Sequence, residues 1–353
     1  MIVRNLRLGV VLAALVLPAS AAAATSGGAG PQVPIAVAVY EVQKGGTAIW
    51  DGGPATLKRV RFLKQARLAQ ISPSGASVAF VRYSGDGFDL FHTGVYGGRE
   101  AKLLHVAGSR ETSLAFSPDS RTVAFASPRG IELTGIVPGR SHRVLALPAR
   151  WRGSTYQALR FSPDGRSLAF SRTWGNGRAG TLHNELAIVS LAGGARSLVA
   201  NPEPYSAQYR PSFSPDGARI AFAAADGSID VVPAAGGKVV RLTPPKKLGE
   251  DSSPLFSPDG STVAFTRKSS GHPTDVWLVG SDGAALRRLT TTKPFAKNAP
   301  RVGASALAWS PDGVDVLAFR HDRLASVAID GQAETTLART GVQYEIDSAV
   351  WHG

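Results

Sequence analysis

The sequence predicts an all-β protein, a seven-bladed β-propeller of four-stranded antiparallel blades with one blade split between the two ends of the chain. Three observations predict it: a turn motif present six times, a nearly constant spacing between copies, and terminal segments that complement each other. The motif is Phe161-Ser162-Pro163-Asp164-Gly165 followed by Ala169-Phe170, repeated over residues 213–222 and 256–265 and, with Ser120 in place of glycine, over 116–125. Looser copies start at Ile71, where Ser74 replaces the aspartate, and at Trp309, where one extra residue precedes Ala318-Phe319. The prolines Pro73, Pro118, Pro163, Pro215, Pro258 and Pro311 lie 45, 45, 52, 43 and 53 residues apart. A period near 45 marks an array of equivalent units.

Each unit reads as four strands. Ser-Pro-Asp-Gly is a turn because proline fixes φ at its second position, aspartate suits the third and glycine accepts the left-handed fourth. The apolar runs on either side are then antiparallel neighbours. A third strand such as Asp275-Val276-Trp277-Leu278-Val279 follows, then a tight turn, then a fourth strand such as Leu286-Arg287-Arg288-Leu289. One such sheet cannot bury both of its faces, so the units stack around an axis. The motif's phenylalanines and the Ala-Phe pairs are expected to fill the space between blades.

The seventh blade comes from the chain ends. Ser348-Ala349-Val350-Trp351 aligns with the innermost strand that precedes each turn. Ile35-Ala36-Val37-Ala38-Val39-Tyr40, Ala48-Ile49-Trp50 and Leu57-Lys58-Arg59-Val60 supply the second, third and fourth strands. Pairing them leaves no open sheet edge at either terminus. The alternative is six blades with decorated ends.

Residues 1–24 read as a signal peptide, with Arg4 and Arg7 ahead of an apolar run and small residues at the cleavage site. The glycine-rich residues 25–33 read as a flexible linker, and residues 34–353 as the propeller. The protein is therefore expected to be exported to the periplasm, cell wall or medium. It has no cysteine, which excludes disulfides, thiolate catalysis and cysteine-ligated metal. The seven histidines are scattered singly, without the close pairing of many metal sites. No cofactor and no metal is expected. The formal charge of +13 is spread over all repeats, which suits solubility and attraction to an anionic wall polymer or lipid surface rather than nucleic acid.

The repeat resembles the TolB-type propeller repeat over residues 34–353. The resemblance rests on the Ser-Pro-Asp-Gly turn, the Ala-Phe strand and third strands reading Asp89-Leu90-Phe91 and Asp275-Val276-Trp277. It implies a propeller that binds other proteins at its channel mouth or end face. Repeats of this type also occur in propeller domains of prolyl-oligopeptidase-like peptidases and in some lyases. The sequence departs from TolB-like proteins in the expected absence of an α/β domain before the propeller.

Alternating strand direction sends the short turns to one face and the longer loops to the other, where a rigid scaffold can present a binding surface. The innermost strands start at that second face. Counting back from each motif gives the candidate mouth residues Arg67, Arg110, Glu111, Tyr156, Gln157, Gln208, Tyr209, Glu250, Asp251, Glu345 and Asp347. Trp174, Phe295 and Arg301 are candidates in the loops. The mixed charges suit a protein or peptide of the cell envelope bound by a monomeric scaffold. No Gly-x-Ser-x-Gly elbow is present, so no catalytic residue is assigned. The alternatives are a lyase or hydrolase using His183, His272 or the acidic mouth residues, and a carbohydrate binder using Tyr156, Trp174, Tyr209 and Phe295.

Overall fold

The computed structural model describes residues 34–352 except 54–55, 109–111, 140–141, 176–182, 202–209, 246–248, 270–272, 293–303, 321–322 and 340–343. The expected signal peptide and linker lie outside these residues. The compact unit Val33–Gly353 holds seven four-stranded antiparallel sheets. Blades 1 to 6 follow in chain order over residues 67–107, 114–144, 155–201, 212–241, 249–288 and 304–339. Blade 7 places the C-terminal strand Tyr344–Trp351 inside Ile35–Glu41, Gly46–Gly52 and Lys58–Lys64. The split closure read from the sequence is thus present, and the six-blade alternative is not.

Burial follows the two-residue period of a strand whose faces are both covered. Among the described residues there are seven buried apolar clusters, one at each junction between neighbouring blades. In Ile35–Glu41, Ile35, Val37 and Val39 face blade 6 while Ala36 and Ala38 face blade 1. In blades 1 to 5 the phenylalanine of each Ala-Phe pair faces the preceding blade and the alanine faces the next, as Phe170 and Ala169 do. Phe80, Phe125, Phe170, Phe222 and Phe265 are fully buried, deeper than the partly buried Phe161 and Phe213 of the turn motifs.

Blade 6 breaks the pattern for a simple reason. The extra residue after its turn moves Ala318-Phe319 one place along the strand, and a one-residue shift exchanges faces. Ala318 therefore takes the position of the other blades' phenylalanine against blade 5, and Phe319 faces blade 7. The Ala-Phe pair of the sixth copy is a match in letters and not in place.

The turns close as their chemistry requires. Ser162 Oγ donates to Asp164 Oδ1 at 2.5 Å and accepts from the Ser167 N–H at 2.9 Å, while the Gly165 N–H donates to the Ser162 carbonyl at 2.9 Å. Such bonds from Ser117 and Ser162 hold the Asp119 and Asp164 carboxyls below the usual carboxylate range. In blade 2 Ser120 adopts the left-handed conformation that glycine takes elsewhere, at φ 61°. The turns also stack around the ring: Gly165 lies over Pro118, Gly217 over Pro163, Gly260 over Pro215 and Gly313 over Pro258.

At the closure His352 replaces the proline and packs on Gly75. Its N–H donates to the Pro34 carbonyl at 2.9 Å, and its Nε2 lies 3.1 Å from Asp51 Oδ2. A Cβ on Gly75 would stand 2.1 Å from the imidazole, and the residue has φ +70°. Gly75→Ala should therefore cost at least about 2 kcal/mol, combining a left-handed alanine with displacement of the ring. Gly165→Ala, where a Cβ would meet Pro118 at an ordinary 3.5 Å, should cost only the backbone part, about 1–2 kcal/mol. Urea denaturation of the two variants measures the difference, and equal losses would remove His352 from the closure.

Candidate functional site

The innermost strands line the central channel, and several are bulged at the same place. Register shifts fall between Arg67 and Gln70, Gln157 and Arg160, Ser252 and Leu255, and Ala306 and Ala308. Leu68, Ala158 and Ser253 occupy the left-handed region there, at φ 51°, 54° and 52°. A bulge inserts one residue and re-aims those that follow. Non-glycine residues held at positive φ cost energy that the surrounding ring must supply. Two of the three bulge residues, Leu68 and Ala158, line a cavity of about 300 Å³.

This cavity collects Gln70 from blade 1, Ser113 from blade 2, Gln157 and Arg160 from blade 3, Arg210 at the entry to blade 4, and Asp347 from blade 7. Leu68, Leu114 and Pro211 add apolar surface. Hydroxyl groups stitch neighbouring inner strands together here. Ser113 Oγ accepts from the Leu159 N–H at 3.2 Å, and Ser348 Oγ accepts from the Ile71 N–H at 3.0 Å. Gln70 Nε2 donates to the Asp347 carbonyl at 3.1 Å, and Thr47 Oγ1 donates to Asp347 Oδ2 at 3.1 Å.

Arg160 is water-accessible along the channel yet set deep among protein atoms. Loss of bulk solvation and the neighbouring Arg210 guanidinium lower its pKa from the ordinary arginine value. Among the described residues, neither arginine forms an ion pair.

The face where the longer loops emerge is braced by ion pairs. An arginine stands eleven residues after the first residue of the motif in four blades: Arg82, Arg172, Arg267 and Arg320. Each lies near the loop-side end of a second strand and meets a different acid. Arg172 Nη1 donates to Glu185 Oε1 at 2.6 Å, with the guanidinium 4.8 Å from the Trp151 ring and 4.1 Å from Trp174. Arg267 grips Asp251 through two bonds of 2.6 and 2.7 Å, and Thr243 Oγ1 donates to the same carboxylate at 2.8 Å. Arg82 meets Glu100 at 2.7 Å, and Arg320 meets Glu334. Paired and stacked guanidinium groups of this kind hold loop bases in one geometry.

The candidate residues divide accordingly. Gln157 and Asp347 line the cavity. Asp251 is buried in its pair with Arg267, and Glu250 is exposed. Tyr156 is a core residue: it is buried, its hydroxyl donates to the Trp151 carbonyl at 2.7 Å, and burial raises its pKa. Arg67 stands 4.0 Å over the Tyr40 ring, outside the cavity. Trp174 stacks on His183 with ring centroids 5.4 Å apart. The backbone of Glu345 lies in the innermost strand of blade 7, but its side chain is outside the described set, as are Arg110, Glu111, Gln208, Tyr209, Phe295, Arg301 and His272. Arg160 and Arg210 were missed because the count stopped four residues short of the motif. Arg160 immediately precedes Phe161, and the same position holds Gln70 in blade 1.

A larger cavity of about 540 Å³ lies between blades 2 and 3 at the turn side. Its carboxylates Asp119 and Asp164 serve their own turns, and its His142 lies 2.6 Å from the buried Glu132. The smaller channel cavity is the better candidate because its cations have no ion-pair partner among the described residues. Among the described residues no three His, Asp or Glu side chains form a metal-binding group. No helix among them is long and apolar enough to cross a membrane.

A ring of seven four-stranded sheets with a lined channel defines a β-propeller. The model of the TolB β-propeller domain family matches residues 158–343, and the chain belongs to that family. Among solved structures it is similar to TolB from Acinetobacter baumannii, at 18% identity and a TM-score of 0.50 over 89% of this chain and 81% of that one. It is also similar to an oligogalacturonate lyase from Vibrio parahaemolyticus, at 12% identity and a TM-score of 0.57 over 76% of each chain. A puromycin-hydrolyzing peptidase from Mycobacterium tuberculosis matches at 18% identity and a TM-score of 0.57, over 77% of this chain but 46% of that one. These likenesses are of fold. No curated protein matches the sequence.

The brace at blade 5 is testable. Asp251→Asn leaves Arg267 buried beside a neutral amide and should cost about 3–5 kcal/mol. Chemical denaturation beside Glu250→Gln, expected within about 0.5 kcal/mol of the parent, checks it. Equal stability of the two variants would make Asp251 an ordinary rim residue.

Proposed function

We propose that the protein is a non-enzymatic, exported scaffold that binds a protein or peptide of the cell envelope through the channel-mouth face. The observation that carries this reading is the channel cavity, where polar groups from five blades converge around two arginines that have no ion-pair partner among the described residues. Concave sites with a few convergent polar groups on a rigid frame are suited to ligands. The bracing ion pairs give the mouth a fixed shape before a partner arrives, which lowers the ordering cost of binding.

The enzymatic alternative draws on the lyase and peptidase among the structural relatives. Two of its candidates are occupied otherwise: Asp251 is held by Arg267, and His183 stacks on Trp174. The carbohydrate alternative loses Tyr156 to the core. Export rests on the pattern of residues 1–24, and the net positive charge favours residence near anionic wall polymers or lipid. The protein acts as a monomer and has no role with nucleic acid.

Gln157→Trp should fill the cavity while leaving both arginines and the residues of every described ion pair in the sequence. In capture experiments from envelope extract, a partner held by the parent protein should be lost from the Gln157→Trp variant at unchanged thermal midpoint. Equal capture by both would place the binding surface elsewhere.

A further inference from the structure

Two guanidinium groups share the channel cavity, and the acid lining it with them is already engaged. Asp347 accepts from Thr47 at its side chain and from Gln70 at its carbonyl. Arg160 donates one bond of 3.3 Å to its own Leu159 carbonyl, which leaves most of its five N–H donors for another group. Both guanidinium groups face channel water, and like charges set side by side in a protein channel still repel unless something between them compensates. We infer that the Arg160–Arg210 pair is the seat of a carboxylate carried by the bound peptide segment. This inference rests on the channel-mouth reading above.

The chemistry of the site favours a peptide carboxylate. Guanidinium forks match the two oxygens of a carboxylate with parallel N–H···O bonds. The remaining lining consists of amides and hydroxyls, Gln157 and Ser113 among them, beside the small apolar surfaces of Leu114 and Pro211. These groups fit the alternating polar and apolar character of an extended chain. Among the described residues no aromatic side chain lines the cavity, so they offer no ring on which a sugar or a base would stack. The bulge at Ala158 sets the arrangement, because it falls at the register shift that precedes Arg160. The lowered pKa of Arg160 agrees with a cation held where a counter-charge is wanted.

The test uses the full propeller labelled with ¹⁵N-arginine and follows guanidinium Nε–Hε resonances during titration. The probes are N-acetylglycine for a chain-terminal carboxylate, N-acetylglutamate α-amide for a side-chain carboxylate, N-acetylglutamine α-amide as the neutral control, and inorganic phosphate. At least one carboxylate should shift the Arg160 and Arg210 resonances saturably while the neutral amide does not, and the tighter of the two identifies the source. Arg160→Gln and Arg210→Gln should each weaken that binding by about tenfold or more, the loss of one charge-assisted bond. Their thermal midpoints should hold or rise, because each removes a like-charge repulsion.

Tighter binding of phosphate than of either carboxylate would overturn the assignment of the ligand. Absence of any saturable shift, or a fall in midpoint in both variants, would overturn the site. The extract assay separates this inference from the reading beneath it. If Gln157→Trp abolishes capture and the double arginine variant retains it fully, the mouth binds a partner but the arginines do not anchor it. If all variants capture equally, both fail.

Discussion

The structure depends on the pairing of the two chain ends inside one sheet. Tyr344–Trp351 lies antiparallel to Ile35–Glu41 from Ile35 opposite Trp351 to Glu41 opposite Tyr344. Every other blade is made locally, from about 45 consecutive residues, and each needs neighbours to cover both of its faces. The seven apolar clusters form a closed cycle only because this sheet joins blade 6 to blade 1. Backbone pairing, the contact of His352 with Gly75 and the approach of His352 to Asp51 act at the same seam. Tyr96 of blade 1 adds a hydrogen bond of 2.5 Å to the other oxygen of Asp51. An unclosed array would leave two apolar faces and two strand edges open to water.

Closure also assembles the channel cavity that forms the candidate site. The cavity draws on blades 1, 2, 3, 4 and 7, so Asp347 reaches its place beside Gln70 only through the split blade. The cost of holding Leu68, Ala158 and Ser253 at positive φ is met by the ring as a whole. Four arginines brace the loop-side face from the ends of second strands, leaving Arg160 and Arg210 as the cations within the cavity that lack carboxylate partners among the described residues. The arginines paired with acids and those proposed to anchor a ligand are thus separated by position. The first group sits beside acids and aromatic rings, and the second lines open space.

The architecture was legible because turn chemistry and strand periodicity are local. Six copies of one turn, with spacing near 45, specified the blades, and the apolar run at 35–40 matched the strand that Ser348-Ala349-Val350-Trp351 required. The site was less legible, because a bulge is not visible in residue types. Counting back a fixed number of positions assumed regular strands and chose Tyr156, which is core, and Asp251, which is bound to Arg267. It passed over Arg160, beside the motif itself. The same reliance on letters misplaced Ala318-Phe319, whereas counting forward eleven residues from the motif finds Arg82, Arg172, Arg267 and Arg320 together. The family's acidic third-strand position has a structural use: Asp89 is held by Lys102 at 2.8 Å, and Asp275 by Thr290 at 3.0 Å and by Arg288.

The loop-side mouth, and not the turn face, is the surface proposed to meet the partner. The most direct measurement is photo-crosslinking in living cells with a benzophenone amino acid at Gln157 in the channel and, separately, at Val314, which is exposed beside the turn of blade 6. A discrete adduct from position 157 with none from 314 is the predicted result. An adduct from 314 alone, or equal yields from both positions, would contradict it.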